Sequence, residues 1–277
     1  MLNYKVGILG SGTMGLQLSA FFSCYNIDVI VWNHKVNNNF HKNINRLIKI
    51  HKRLGDISKD TLPKDIVYTD NMNELYDCDI IIETVAEDKS LKLDLFSKLN
   101  EILVNPKVIA TNTSTFSINE LSEGTKFKNL FLGAHFFNPL LSLKLVEVIK
   151  SSETSNETII YMVNFLEQLG KVAIPVSDTV GFVVNRLLFL MINESINMVE
   201  SEVSNIKNID TCMKLGANHS MGPIELADLI GLDICLDILS SLYESNKNIK
   251  YKPAQLLIDN VNNGYLGKKS GRGFYNY

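Results

Sequence analysis

Short apolar segments alternate with longer polar or amphipathic segments up to about residue 177. This pattern predicts strands that alternate with helices. The predicted strands number about eight and cover residues 4–9, 27–32, 66–69, 79–83, 107–111, 130–135, 145–149 and 172–176. Helices are predicted between several of them, at 16–24, 35–65, 90–103 and 155–169. Alternating strands and helices indicate an α/β domain.

The pattern changes after residue 177, where strand-like segments disappear and long apolar helices take their place. Helices are predicted over 182–202, over 223–243 and from Pro253 to about Gly264. Proline at a first helical position costs no hydrogen bond, which supports a helix start at Pro223. We therefore expect a domain of residues 1–181 with a Rossmann-type α/β fold, followed by a smaller all-α domain of residues 182–277.

Composition limits the kind of protein. Of 277 residues, 45% are hydrophobic and 21% charged, and the net charge of −3 predicts no binding to nucleic acid or to an anionic membrane. The four cysteines have no paired spacing, which predicts reduced thiols in the cytoplasm and no metal site. No signal peptide is predicted, and no apolar run approaches the roughly 20 residues of a membrane span.

The first strand leads into Gly10-Ser11-Gly12-Thr13-Met14-Gly15, and a helix and a second strand follow. This context is the one that a dinucleotide-binding loop requires. Gly10 would allow the tight turn, Gly12 the close approach of the pyrophosphate, and Gly15 the packing of helix on strand. We expect residues Gly10, Gly12, Thr13, Met14 and Gly15 to bind NAD or NADP, with the phosphates at the helix N-terminus.

Asn33 stands at the end of the second strand, where an acidic residue usually binds the ribose hydroxyls of NAD. An asparagine does not repel a 2′-phosphate, and Lys35 could attract one. Alternatively, Asn33 binds the NAD ribose and Lys35 is solvated. The sequence leaves the choice between NAD and NADP open.

His135 and Glu147 lie on two short apolar strands that a proline-containing loop joins. Their spacing allows the carboxylate to orient the imidazole, and an imidazole so held can act as a general base near neutral pH. Ser114, Asn138 and Asn185 are polar residues that could complete a catalytic site. Each of these residues, taken alone, favours a structural role over a catalytic one.

Several segments of the chain resemble the (S)-3-hydroxyacyl-CoA dehydrogenase family, and above all its short bacterial 3-hydroxybutyryl-CoA dehydrogenases. The segments follow in the same order over nearly the whole chain; they are the glycine loop, Asn112-Thr113-Ser114, His135-Phe136-Phe137-Asn138-Pro139, Lys144-Leu145-Val146-Glu147-Val148, Gly181-Phe182-Val183-Val184-Asn185-Arg186 and Gly271-Arg272-Gly273-Phe274-Tyr275.

This resemblance implies a role for each matching residue. His135 would be the general base, Glu147 its partner, and Ser114 and Asn185 would hydrogen-bond the reacting oxygen or the thioester. Further cofactor contacts are implied for Asn138, Glu87, Lys92 and Lys269. The alternative for the last three is a solvated surface charge.

The region from Lys35 to Lys64 holds eight lysines and arginines. Because the resemblance implies a coenzyme A thioester as substrate, Lys42, Arg46 and Lys49 are candidates for binding the phosphates of coenzyme A. The alternative is a solvated basic helix. The chain departs from the family pattern at Thr115, at Ser220 and at 140–143, positions near the acyl pocket or a helix start, which leaves the acyl chain length open.

The predicted activity is the interconversion of a short-chain (S)-3-hydroxyacyl-CoA and its 3-oxoacyl-CoA. The helices of the second domain are apolar on more than one face, which, with the resemblance, predicts a homodimer through that domain. One alternative is a dehydrogenase of another β-hydroxy acid, such as a sugar acid. Another is a dinucleotide-binding protein without catalytic activity.

Overall fold

The computed structural model describes residues 4–277, apart from the side chain of residue 246. The described residues form two compact units, and the chain passes from the first to the second between Thr179 and Val180. The boundary that the sequence predicts, after residue 181, lies close to this division and stays a prediction. None of the helices in residues 4–277 has the length and apolar character needed to cross a membrane.

From residue 4 onward, the first unit contains one sheet of eight strands, in agreement with the predicted number of about eight. The strands are β1 (Lys5–Leu9), β2 (Asp28–Trp32), β3 (Ile66–Thr69), β4 (Ile80–Glu83), β5 (Val108–Thr111), β6 (Phe131–Phe136), β7 (Leu145–Lys150) and β8 (Val172–Ser177). Their order in the sheet is β3-β2-β1-β4-β5-β6-β7-β8. All neighbouring pairs are parallel except β6 and β7. The fold class is therefore the predicted Rossmann-type sheet.

Among the described residues of the first unit, five α-helices accompany this sheet: α1 (Thr13–Cys24), α2 (Phe40–Leu54), α3 (Lys89–Ile102), α4 (Ile118–Ser122) and α5 (Asn156–Gln168). The central strands are buried throughout, as in β4, where all four residues are inaccessible. Continuous apolar strands of this kind are typical of a parallel sheet that is covered on both faces.

The second unit is all-α, as predicted, and contains α6 (Val184–Glu200), α7 (Ile206–Gly216), α8 (Pro223–Ile230), α9 (Leu232–Asn246) and α10 (Gln255–Asn262). Phe189, Ile192, Leu239 and Tyr251 are buried together in its core.

Two helix predictions were wrong in detail, and the helices α4 and α7 were not predicted. The predicted helix over 223–243 is two helices, because Gly231 between them has φ +111°, which no α-helical residue adopts. The predicted helix over 35–65 is α2 alone, which ends where Gly55 takes a left-handed conformation. The prediction omitted α7, although Asn205 is a typical N-cap residue. Its side chain accepts a hydrogen bond from the backbone amide of Asn208.

Candidate active site

The glycine loop lies directly between β1 and α1. Gly10 has φ +101°, and a Cβ there would approach the backbone of Thr84 within 3.0 Å. A Cβ on Gly15 would lie 2.1 Å from the carbonyl oxygen of Gly10. A Cβ on Gly12, by contrast, would have nothing within 4 Å. The fold itself thus requires glycine at 10 and 15, whereas Gly12 leaves open space.

That open space lies at the N-terminus of α1. Helix α1 begins at Thr13, no side chain caps it, and its first turn contains no acidic residue. Its first amide groups and the positive end of its dipole are thus available to an anion. The loop also follows β1, which lies between β2 and β4 in the sheet. The order of the strands therefore reverses direction at β1. Ligands of open α/β sheets bind at such a point, and these features fit a dinucleotide pyrophosphate.

Asn33 directly follows β2 at the same edge of the sheet. Its backbone amide donates to the carbonyl of Thr69 over 3.0 Å. Its side-chain amide donates to the carbonyl of Lys35 over 2.8 Å. The position therefore presents a neutral side chain, half-buried, beside the exposed Lys35.

His135 and Glu147 face each other across the antiparallel pair of β6 and β7. Side chains directly opposite in such a pair lie on the same face of the sheet. The Nδ1 atom of His135 is 2.8 Å from Oε2 of Glu147, and the two side chains are only 5% and 2% exposed. A carboxylate can only accept a hydrogen bond, so Nδ1 carries the hydrogen and Nε2 of the neutral ring keeps its lone pair.

Ser114 lies on the other side of the imidazole ring. Its Oγ atom is 3.1 Å from Nε2 of His135, and the hydroxyl donates to the lone pair there. Ser114 follows β5 and is half-buried, so it is more accessible than the buried pair of His135 and Glu147. The structure thus brings together three of the four predicted catalytic residues in the order Glu147, His135, Ser114.

Glu87 holds the turn that carries Ser114. Its carboxylate accepts hydrogen bonds from the Thr113 hydroxyl, from the Ser114 amide over 3.2 Å and from the Thr115 hydroxyl over 2.7 Å. Burial acts to raise the pKa of Glu87, but the Lys92 ammonium and these hydrogen bonds outweigh it and hold the pKa below its usual value. Glu87 is therefore a charged anchor of this turn.

Lys92 is buried, so the solvated alternative for this residue is wrong. It is 1% exposed, and its Nζ donates to both carboxylate oxygens of Glu83, over 2.7 and 2.9 Å. A second ion pair of 3.1 Å joins Lys92 to Glu87. Sequence reasoning missed Glu83, which also accepts from the Thr111 hydroxyl over 2.7 Å. The available signal was an acidic residue at the end of an otherwise apolar strand.

Asn138 lies in the loop between β6 and β7 and is exposed. Its Oδ1 accepts a hydrogen bond from Nε2 of Gln17, a residue that the sequence did not single out. The neighbouring Asn112 has a structural role in this unit, because its Oδ1 accepts from the backbone amide of Phe136 over 2.9 Å.

The basic residues predicted to bind coenzyme A lie together on α2. They line a cavity of about 610 Å³, whose walls are Asn37, Asn39, Lys42, Asn43, Asn45, Arg46 and Lys49. Three cations surrounded by neutral amides suit a phosphate-bearing ligand, since the cavity wall includes no carboxylate. The geometry thus agrees with an anion site on this helix.

The two remaining candidates belong to the second unit. Asn185 is the second residue of α6 and is buried. Lys269 follows α10 and forms an ion pair with Asp233 in which both side chains remain partly exposed.

Comparison with known proteins extends over the whole chain. Residues 5–179 match the NAD binding domain of 3-hydroxyacyl-CoA dehydrogenase, and residues 181–277 match its C-terminal domain. The chain is 38% identical to a probable 3-hydroxybutyryl-CoA dehydrogenase of Deinococcus radiodurans, over 99% of this chain and 100% of that protein. It is also 38% identical to a 3-hydroxybutyryl-CoA dehydrogenase of Clostridioides difficile, over 99% of each.

A solved structure agrees with these matches. The (S)-3-hydroxybutyryl-CoA dehydrogenase of Ralstonia eutropha superimposes with a TM-score of 0.92 at 33% identity, covering 100% of this chain and 99% of that one. The chain belongs to the 3-hydroxyacyl-CoA dehydrogenase family and contains both of its domains, the NAD-binding one included.

Proposed function

We propose that this protein interconverts a short-chain (S)-3-hydroxyacyl-CoA, such as 3-hydroxybutyryl-CoA, with the corresponding 3-oxoacyl-CoA. The observation that carries the proposal is the hydrogen-bonded series Glu147–His135–Ser114. It places a proton acceptor at the end of β6, on the same sheet as an open glycine loop. The relatives named 3-hydroxybutyryl-CoA dehydrogenase supply the substrate class.

In the oxidation direction, the 3-hydroxyl proton moves to Nε2 of His135. The imidazolium that forms keeps its Nδ1–H bond to Glu147, whose negative charge stabilises it. Ser114 Oγ lies within hydrogen-bond distance of Nε2, so its hydroxyl can bond the same oxygen that gives up the proton. Bound NAD⁺ or NADP⁺ would accept the hydride from the 3-carbon. In reduction, His135 returns the proton to the 3-oxygen.

The cofactor would lie along the carboxyl ends of β1, β2 and β4. Its pyrophosphate would occupy the space at Gly12, and its adenosine ribose would lie beside Asn33. The resemblance assigns further contacts to Asn138, Glu87, Lys92 and Lys269. In the structure, Glu87 and Lys92 form an ion pair with each other. We therefore propose that they support the turn that carries Ser114.

Coenzyme A would bind through its phosphates to the basic cavity on α2. The resemblance assigns a hydrogen bond to the substrate to Asn185. Replacement of Arg46 and Lys49 by alanine should raise KM for the thioester with little change in KM for the nicotinamide. An unchanged KM for the thioester would remove both residues from the site.

A homodimer through the helical domain is also part of the proposal. Several apolar side chains of the second unit are exposed, with Leu187 at 65%, Leu215 at 83% and Leu229 at 51%. A contiguous apolar patch is typical of an interface between subunits, and we propose that these leucines contribute to one. Light scattering at micromolar concentration tests this point, and a particle of 31.1 kDa, the mass of one chain, would contradict it.

The experiment that tests the activity is steady-state oxidation of NADH, and separately of NADPH, with acetoacetyl-CoA. We expect turnover that His135→Ala lowers at least about 100-fold. Free acetoacetate serves as the control substrate, because it has the same reacting carbonyl but lacks coenzyme A. Turnover of acetoacetate without turnover of acetoacetyl-CoA would favour a dehydrogenase of another β-hydroxy acid. Cofactor binding without turnover of either would favour a non-catalytic protein.

A further inference from the structure

The loop of residues 137–144 joins β6 to β7, so it connects the two strands that carry His135 and Glu147. It also carries Asn138, whose side chain is exposed at the edge of the sheet. The position of this loop determines the direction in which Asn138 presents its amide. What holds the loop is therefore relevant to the reaction.

Three side chains from outside the loop hold it. Lys171 donates from Nζ to the carbonyls of Leu140 and Leu143. Asp56 accepts from the Ser142 hydroxyl over 2.8 Å. The third is Gln17, and it alone bonds to the side chain of Asn138.

Gln17 uses both ends of its carboxamide. Its Nε2 donates to Oδ1 of Asn138, and its Oε1 accepts from the backbone amide of Leu140. The Leu140 amide can only donate, so it fixes which end of the Gln17 amide faces Asn138. Gln17 therefore donates to Asn138 from Nε2, and Asn138 accepts with Oδ1. The Nδ2 donor of Asn138 is left as the end that faces away from Gln17.

Gln17 also belongs to α1, the helix whose N-terminus forms the glycine loop. It lies two residues after Gly15 and is 5% exposed. One rigid helix therefore connects the open space at Gly12 with the side chain of Asn138. A ligand that spans the two points would find both at a fixed separation.

We propose that Gln17 is a positioning residue that orients the Asn138 amide, so that Asn138 presents an N–H donor to the carboxamide oxygen of the bound nicotinamide. This inference rests on the proposed function for the identity of the ligand. Gln17 itself contacts neither substrate nor cofactor and acts through Asn138.

Two substitutions of Gln17 separate orientation from simple support. Gln17→Glu keeps an acceptor for the Leu140 amide but presents a carboxylate oxygen to Asn138, whose amide must then turn and expose Oδ1. Gln17→Met has a similar length, makes neither hydrogen bond and leaves Asn138 able to take either orientation. Gln168→Glu is the matched control, because Gln168 is an exposed residue at the end of α5.

If Gln17 orients Asn138, Gln17→Glu should raise KM for NADH at least about tenfold and Gln17→Met about threefold, while Gln168→Glu leaves it unchanged. A purely supporting role reverses the order, because Gln17→Met loses both hydrogen bonds, whereas Gln17→Glu keeps both once the Asn138 amide has turned. That reversed order, or an unchanged KM in both variants, would overturn the proposal.

A double-mutant cycle keeps the test decisive where Gln17→Glu folds poorly. In an Asn138→Ala background, neither substitution of Gln17 should change KM for NADH further, since the residue through which Gln17 acts is gone. If the changes in KM from the Gln17 and Asn138 substitutions add in full, the result would contradict the proposal. Dissociation constants for NADH, measured by its fluorescence without any thioester, should follow the same order. This measurement of binding remains valid even if acetoacetyl-CoA is not the substrate. A failure of the proposed role of Gln17 can therefore be distinguished from a failure of the proposed function.

Discussion

Replacement of Glu147 by glutamine removes one negative charge from the candidate active site and almost nothing else. The amide has the shape of the carboxylate and can still accept from Nδ1 of His135 across the present 2.8 Å. It can also donate, so the ring is no longer restricted to the tautomer with its hydrogen on Nδ1.

The size of the effect follows from charge and distance. Two unit charges about 4 Å apart, near the spacing of a carboxylate and an imidazolium in contact, attract by about 4 kcal/mol at an effective dielectric constant of about 20. Both side chains are almost fully buried, so water screens them little. Loss of this attraction in the transition state should lower kcat by about 100- to 1,000-fold.

NADH oxidation with acetoacetyl-CoA measures the effect, and KM for NADH should stay within about twofold because the glycine loop is not altered. The matched control is Glu153→Gln, since Glu153 pairs with Lys128 at the surface, where its side chain is 52% exposed. A kcat of Glu147→Gln within about threefold of the parent and of Glu153→Gln would refute the role of the charge.

Three further predictions concern other parts of the first unit. Asn33→Asp should shift the kcat/KM ratio toward NADH over NADPH by at least about tenfold, because a carboxylate repels a 2′-phosphate; an unchanged ratio would place the ribose elsewhere. Lys92→Met should cost about 3–5 kcal/mol in urea unfolding, since it leaves Glu83 charged and buried; Lys98→Met, at an exposed pair, should cost under about 0.5 kcal/mol. Burial lowers the pKa of Lys171 to about 8, so between about pH 8 and pH 10.5 the unfolded chain binds one proton more than the folded chain. As the pH rises through this window, the free energy of unfolding of the unmutated protein should increase by up to about 2–3 kcal/mol relative to that of Lys171→Met. A difference between the two proteins that does not change with pH would contradict this.

The strands were predictable because their signal is local. Each is a short apolar run that ends at a turn or a polar residue, and Ile66–Thr69 was placed with both ends correct. The glycine loop carries its own signal as well, since the turn at Gly10 and the close packing at Gly15 each require glycine whatever the rest of the chain does. Family membership could be predicted because the motifs follow in one order along the chain.

The errors came from effects that periodicity does not contain. The residues on both sides of Gly231 are equally apolar, and only the positive φ at this glycine shows that the chain changes direction there. For Lys92 the sequence offered a cofactor contact or a solvated helix charge and not a buried ion pair, because its partner Glu83 lies nine residues earlier on a strand. Gln17 had no signal at all, since the residues it bonds are more than 120 positions away.

The sequence by itself determined the sheet, the helical second domain, the cofactor loop and the pairing of His135 with Glu147. Each depends on residues close together in the chain or on adjacent strands. Only the tertiary structure decided that Glu83 and Lys92 form a buried ion pair that the more exposed Glu87 joins, and that Gln17 bonds Asn138. The physical reason is that burial makes hydrogen bonds and ion pairs obligatory, and which residues are buried together depends on how the strands and helices pack.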